Sequence, residues 1–219
     1  WDIRAVDRFF SHWAQQVGEP PPATDLWAAI GIDHGSQPGK QASILVGCVD
    51  HGANELPHVY VLEEVGDPTG KNVPADDARG ILSMLRARGW QWSDLDDACG
   101  DRALMRGQAG GKSNAMIAAH INRQLGRRGM LKPMLRTAKR GTDRGAGSAL
   151  RRARYVHWLT AKGLLTVSDR CPRTLEALDN WDGTPRSAHK DQLDALFYAL
   201  DRWTFERRRP AAVSLIVGR

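Results

Sequence analysis

The chain has 219 residues, 42% hydrophobic and 26% charged, a composition that suits a soluble globular protein with one sizeable α/β domain. No apolar run is long enough to span a membrane, and no charged-then-apolar leader opens the sequence. The formal charge of +6 conceals an asymmetry: residues 1–101 hold 7 Lys and Arg against 16 Asp and Glu, and residues 102–219 hold 24 against 9. Such a split points to acidic groups gathered at one place and a basic surface for a polyanion at another. A basic half also occurs in proteins that never meet nucleic acid. Cys48, Cys99 and Cys171 are widely spaced with no CxxC, which argues against a zinc site or a disulfide framework and fits a reducing compartment. The chain begins at Trp1 rather than Met and is expected to be a fragment of a longer protein.

In chain order, Ile3, Val6, Phe9, Phe10, Trp13 and Val17 predict an amphipathic helix over 3–17, and Glu19-Pro20-Pro21-Pro22 breaks it. Residues 1–22 thus read as a connector helix and Pro-rich linker, and 23–219 as one domain. The apolar run from Leu26 to Ile32 predicts a buried central strand delivering Asp33 at its tip. Residues 43–49 and 58–65 are two further strands, joined by Gly, Asn and Pro in the manner of an antiparallel meander. Pro74 opens a helix with Asp76 and Asp77 in its first turn, and Gly89 ends it. Residues 95–101 read as a short strand presenting Asp101 after Gly100.

Beyond that point the expected elements are a helix over 112–125, a strand over 130–135 and a helix over 144–159 with a basic face. A strand over 164–167 and a short helix over 173–178 follow. Arg140 to Gly147 reads as a mobile glycine-rich loop. The last element is a helix from Asp191, burying Leu193, Leu196, Phe197, Leu200 and Trp203 at helical spacing. This order describes a mixed five- to six-stranded sheet flanked by helices on both faces. The eight Trp fall mostly within apolar patterns and are assigned to the core.

Three elements end in carboxylates: the first strand in Asp33, the fourth in Asp101, and the last helix begins with Asp191 and Asp194. Strand-tip Asp often serves only turn chemistry, and acidic residues suit a helix N-terminus. If the first and fourth strands are parallel neighbours, however, both tips fall at one sheet edge. A helix across that edge then adds two carboxylates three residues apart on one face.

This order, together with Ile30-Gly31-Ile32-Asp33-His34-Gly35, Cys99-Gly100-Asp101 and His189-Lys190-Asp191-Gln192-Leu193-Asp194-Ala195-Leu196-Phe197-Tyr198-Ala199-Leu200, resembles the RNase H-like nuclease superfamily. Within it, the chain most resembles the C-terminal nuclease domain of the large terminase subunit of tailed phages, over roughly residues 26–205. The resemblance implies an RNase H-like fold and metal-dependent cleavage of double-stranded DNA in genome packaging. It also implies Asp33, Asp101, Asp191 and Asp194 as catalytic metal ligands, with Mg²⁺ or Mn²⁺ as a pair of ions. The expected partners are an upstream packaging ATPase domain, a small terminase subunit and a portal, in the host bacterial cytoplasm. Lys190 stands where that family often has an acidic residue.

The chemistry suits the residues: phosphodiester hydrolysis must activate a water and stabilise a leaving oxygen, and two carboxylate-bridged divalent ions do both. Glu63 and Glu64 are possible supporting acids, of which strand alternation puts one on the active face. His189 is a possible proton carrier or a solvated side chain. Lys139, Arg140, Arg144, Arg151, Arg152 and Arg154 form a plausible patch for the DNA backbone, with no sign of base readout. Gly110-Gly111-Lys112-Ser113 mimics a phosphate-binding loop, but Arg106 stands where its first Gly belongs, so ATP binding is rejected. Lys112 at a helix start could contact a phosphate instead. The rival readings are a Holliday-junction resolvase of the same fold and a catalytically silent DNA-binding module.

Overall fold

The computed structural model describes residues 10, 15–21, 26–34, 40–50, 56–101, 113–138, 147–183 and 187–206, with 147–152 and 204–206 as backbone alone. Its centre is a six-stranded sheet of β1 (Trp27–Asp33), β2 (Gln41–Val49), β3 (His58–Asp67), β4 (Asp97–Gly100), β5 (Leu135–Thr137) and β6 (Leu165–Val167), in the order β5-β4-β1-β2-β3-β6. β1, β2 and β3 form the expected antiparallel meander, while β4 pairs with β1, β5 with β4, and β6 with β3 in parallel. Only β2 therefore runs against the other five, and the C-terminal ends of β1 and β4 meet at the same edge.

Alternation along β1 divides the molecule into two cores. Ala28, Ile30 and Ile32 face one way, onto α1 (Pro74–Ala87) and α2 (Asn114–Gln124), where Ile81, Leu85, Ile117, Ile121 and Trp92 are fully buried. Ala29 faces the other way, into a core with Val156 and Leu159 of α3 (Gly147–Ala161), Leu178 of α4 (Pro172–Asn180), and Leu193, Leu196 and Phe197 of α5 (Lys190–Ala199). α6 (Asp201–Glu206) adds Trp203 to it. Each fully buried Leu or Phe of this kind contributes about 1.5–3 kcal/mol.

Helix ends follow the chemistry of their residues. Pro74 stands at the first position of α1, where a missing N–H costs nothing, and Asp76 Oδ2 accepts the Val73 N–H at 3.1 Å. Gly89, at φ 72°, turns the chain out of α1 in a conformation other residues resist. Ser113 caps α2 by accepting the Met116 N–H. β4 and β5 are tied by a partly buried ion pair: Arg136 donates to both carboxylate oxygens of Asp97, at 2.8 and 2.5 Å, and to Asp201 of α6 at 2.7 Å.

Three expectations change. The helix expected over 3–17 falls mainly outside the described residues, but its end at 15–17 is not helical: Val17 forms a parallel bridge with Val167, extending the sheet edge beside β6. The strand expected over 130–135 begins only at Leu135, because Pro133 offers no N–H to a ladder; Met130 and Met134 are exposed. The last helix is two helices, α5 and α6, with Leu200 between them. Among the described residues no helix is long and apolar enough to cross a membrane.

Candidate active site

β1 and β4 deliver their tips side by side. Ile32 stands opposite Gly100 in the parallel register, so Asp33 and Asp101 follow as the next pair, joined by the Asp101 N–H to the Ile32 carbonyl at 2.9 Å. Asp33 is two residues beyond Gly31, hence on the same face. That face meets α5: a Cβ added at Gly31 would collide with the Ala195 carbonyl and the Ala199 amide. Only glycine allows the helix to cross the strand so closely. Cys99 lies on this face too, in contact with Tyr198 of α5, and Asp101 two residues on is held by the Tyr198 hydroxyl, which donates to Oδ1 at 3.1 Å.

α5 starts at the same edge with Asp191 in its first turn and Asp194 one turn deeper, the latter only 8% exposed. Four carboxylates from three elements therefore face one region. Burial, and after it the charge of Asp194, drive the pKa of Asp33 well above the carboxylate range; Asp101 and Asp191 act in the same sense and Lys190 in the opposite one. Lys190 completes the group: its Nζ lies 2.5 Å from Asp194 Oδ2 and 3.9 Å from Asp191 Oδ1.

The donor set fits a hard divalent cation, since it consists of carboxylate oxygens whose mutual repulsion a cation would relieve. Among the described residues, no three His, Cys, Asp or Glu side chains converge on one point as they stand. His189 precedes α5 and lines a surface cavity of about 200 Å³ with Lys40, Gln41, Asp67, Arg173 and Asp191. Lys112, Lys139, Arg140 and Arg144 lie outside the described residues, as do the side chains of Arg151 and Arg152.

Glu63 and Glu64 of β3 have partners elsewhere. Glu63 faces Arg170, at 2.7 Å, and Arg88, at 3.6 Å. Glu64 lies on the α5 side, where it accepts the Arg173 and Thr174 N–H groups at the start of α4 and the Thr174 hydroxyl. It also accepts the Gln192 side-chain amide at 2.7 Å, so one carboxylate caps α4 and anchors the first turn of α5. Burial pushes the Glu64 pKa up, against these donors.

Two positioning residues are absent from the sequence-based expectations. By sequence Tyr198 reads only as part of the apolar helix, although it stands four residues after Asp194 and so shares its face. Asn114 opens α2 and donates to the carbonyls of Asp101 and Arg136, both at 3.2 Å; its Oδ1 therefore faces the His34 ring, whose Nε2–H donates to it at 2.7 Å. No spacing rule links Asn114 to residues 13 and 22 positions on either side.

No family model matches the sequence, and neither does any curated protein. Solved structures do match. The nuclease domain of the bacteriophage P22 large terminase superposes with a TM-score of 0.57 over 90% of this chain and 93% of its own length, at 14% identity. That of the bacteriophage SPP1 large terminase g2p, solved with bound Mn, gives 0.55 over 88% of this chain and 97% of its own, at 19% identity. The large terminase of a thermophilic bacteriophage gives 0.56 at 16% identity, over 90% of this chain and 44% of its own. This chain thus spans under half the length of that protein. The architecture is the RNase H-like α/β fold of phage large-terminase nuclease domains.

Proposed function

We propose that the chain is a divalent-metal-dependent endonuclease domain of a phage large terminase, cutting double-stranded DNA concatemers during packaging. The observation that carries this reading is the meeting of Asp33 and Asp101 at adjacent parallel strand tips beneath Asp191 and Asp194 of α5. The Mn bound in the SPP1 relative adds support for a metal at such a site. The four aspartates would hold Mg²⁺ or Mn²⁺, two ions in this reading, which when bound supply a polarised water and charge stabilisation for the leaving oxygen. The protein's own part is to hold the acids rigidly: Tyr198 fixes Asp101, the Gly31 crossing sets the height of α5, and Glu64 with Gln192 anchors its first turn.

Lys139, Arg140, Arg144, Arg151 and Arg152 are proposed to carry the DNA backbone by phosphate contact. An upstream packaging ATPase, a small subunit and a portal are the proposed partners, in the cytoplasm of the bacterial host. Residues 23–219 are proposed as the nuclease domain and 1–22 as its connector.

Nicking of supercoiled plasmid in Mg²⁺ or Mn²⁺ tests the reading, with Asp191→Asn and Asp194→Asn beside the parent. Metal-dependent nicking by the parent, strongly reduced in both variants, is the expected result. Full activity in both variants would remove α5 from the site. A parent inert toward plasmid would favour a silent DNA-binding module, and a preference for four-way junctions a resolvase.

A further inference from the structure

The acidic pocket already holds a cation of its own. Lys190 opens α5 and its side chain follows the helix inward, so that Nζ lies 2.5 Å from Asp194 Oδ2 and 3.9 Å from Asp191 Oδ1. Surface pairs at this spacing form and break freely, but here the carboxylate side chain of Asp194 is only 12% exposed and that of Lys190 30%. The charges of Asp194, Asp33 and Asp191 all attract this ammonium. Asp33 belongs to β1, so acids of two of the three elements that build the pocket act on the ammonium. The carboxylates meanwhile, among the described residues, do not converge in threes on any single point.

We propose that Lys190 is the resident counter-ion of this pocket, and that a divalent ion loads only by displacing its ammonium from Asp194. The inference rests on the metal-nuclease reading above. The reason is electrostatic: an ammonium and a dication cannot both sit against one partly buried carboxylate without repulsion that water screens poorly there. Lys190 thereby quiets the repulsion among Asp33, Asp191 and Asp194 in the metal-free state and lowers the affinity for metal. A nuclease that must not cut at random gains a threshold from this, since it loads only when metal is plentiful.

The test is a Mn²⁺ titration by calorimetry on the EDTA-treated chain, comparing the parent with Lys190→Gln and Lys190→Met. Met keeps the apolar stem should Gln impair folding, and circular dichroism checks both. Both variants are expected to bind Mn²⁺ at least about tenfold more tightly, a change of roughly 1.4 kcal/mol. Their thermal midpoints should lie below the parent's in EDTA and rise further on adding Mn²⁺. Equal or weaker Mn²⁺ binding in the variants, beside a parent that binds, overturns the inference and leaves the metal reading standing. No Mn²⁺ binding by any of the three chains overturns both.

Discussion

The Tyr198 hydroxyl donates to Asp101 Oδ1 across 3.1 Å, linking the last turn of α5 to the tip of β4. It fixes the carboxylate at one oxygen. Residues that orient ligands in this way typically alter metal affinity or activity about 10–100-fold when lost. Tyr198→Phe should therefore weaken Mn²⁺ binding and slow nicking by amounts in that range, while costing only about 1 kcal/mol of stability. Calorimetric titration and thermal melts measure the two; unchanged Mn²⁺ affinity would mean that Asp101 needs no such support.

Asp33 is the site where function and stability oppose one another. Its raised pKa means that the folded state resists ionisation, because of burial first and Asp194 next. For a carboxylate with a raised folded pKa, stability falls as pH rises past the unfolded value of about 3.9 toward the folded one. At pH 7 without metal, Asp33→Asn should consequently melt above the parent, yet fail to nick plasmid. A lower melting point than the parent in EDTA would show that hydrogen bonds to the carboxylate outweigh the repulsion.

The close crossing of β1 and α5 makes Gly31 critical. A methyl group there meets backbone atoms of Ala195 and Ala199, which cannot rotate away as a side chain could. Overpacking of this sort costs about 1–3 kcal/mol. Gly31→Ala should also lift α5 and carry Asp191 and Asp194 off their positions, so that nicking falls by far more than stability does. An active Gly31→Ala chain with parental metal affinity would show that the crossing is not what sets the site.

Asp67 ends β3 and accepts the Thr69 hydroxyl at 2.6 Å, the Asn72 N–H at 2.6 Å and the Thr69 N–H at 2.8 Å. Those donors, the Thr69 hydroxyl foremost, depress its pKa below the carboxylate range. The sign is opposite to that of Asp33: a depressed folded pKa stabilises above the unfolded value and is lost as pH falls through the folded one. Asp67→Ala should melt below the parent at pH 6–7, and the gap should narrow steadily below about pH 4. A gap independent of pH would assign the loss to the turn's packing rather than to its charge.

Much of this architecture was legible from sequence because its signals are local. Apolar runs marked β1 to β3, and Pro74 and Gly89 marked the ends of α1. The period of Leu193, Leu196 and Phe197 marked the buried face of α5. Asp33 stood out as the carboxylate ending an apolar run, Asp101 as the end of a short strand, and Asp191 and Asp194 as the acids opening an amphipathic helix. At β5 a local signal misled, and one residue was responsible: Pro133, in an apolar stretch, delays the strand to Leu135 because the ladder needs an N–H.

What the sequence by itself determined is which residue types end which elements, since backbone preference and hydrophobic period act within a few residues. Only the tertiary structure decided that Asp33 and Asp101 are neighbours in parallel register and that Gly31 lets α5 pass close above them. It also decided that Glu64 caps α4 and, through Gln192, anchors the first turn of α5. Those facts depend on charge and shape between segments some 70 to 160 residues apart in the chain, where no periodicity acts and only packing brings the groups together.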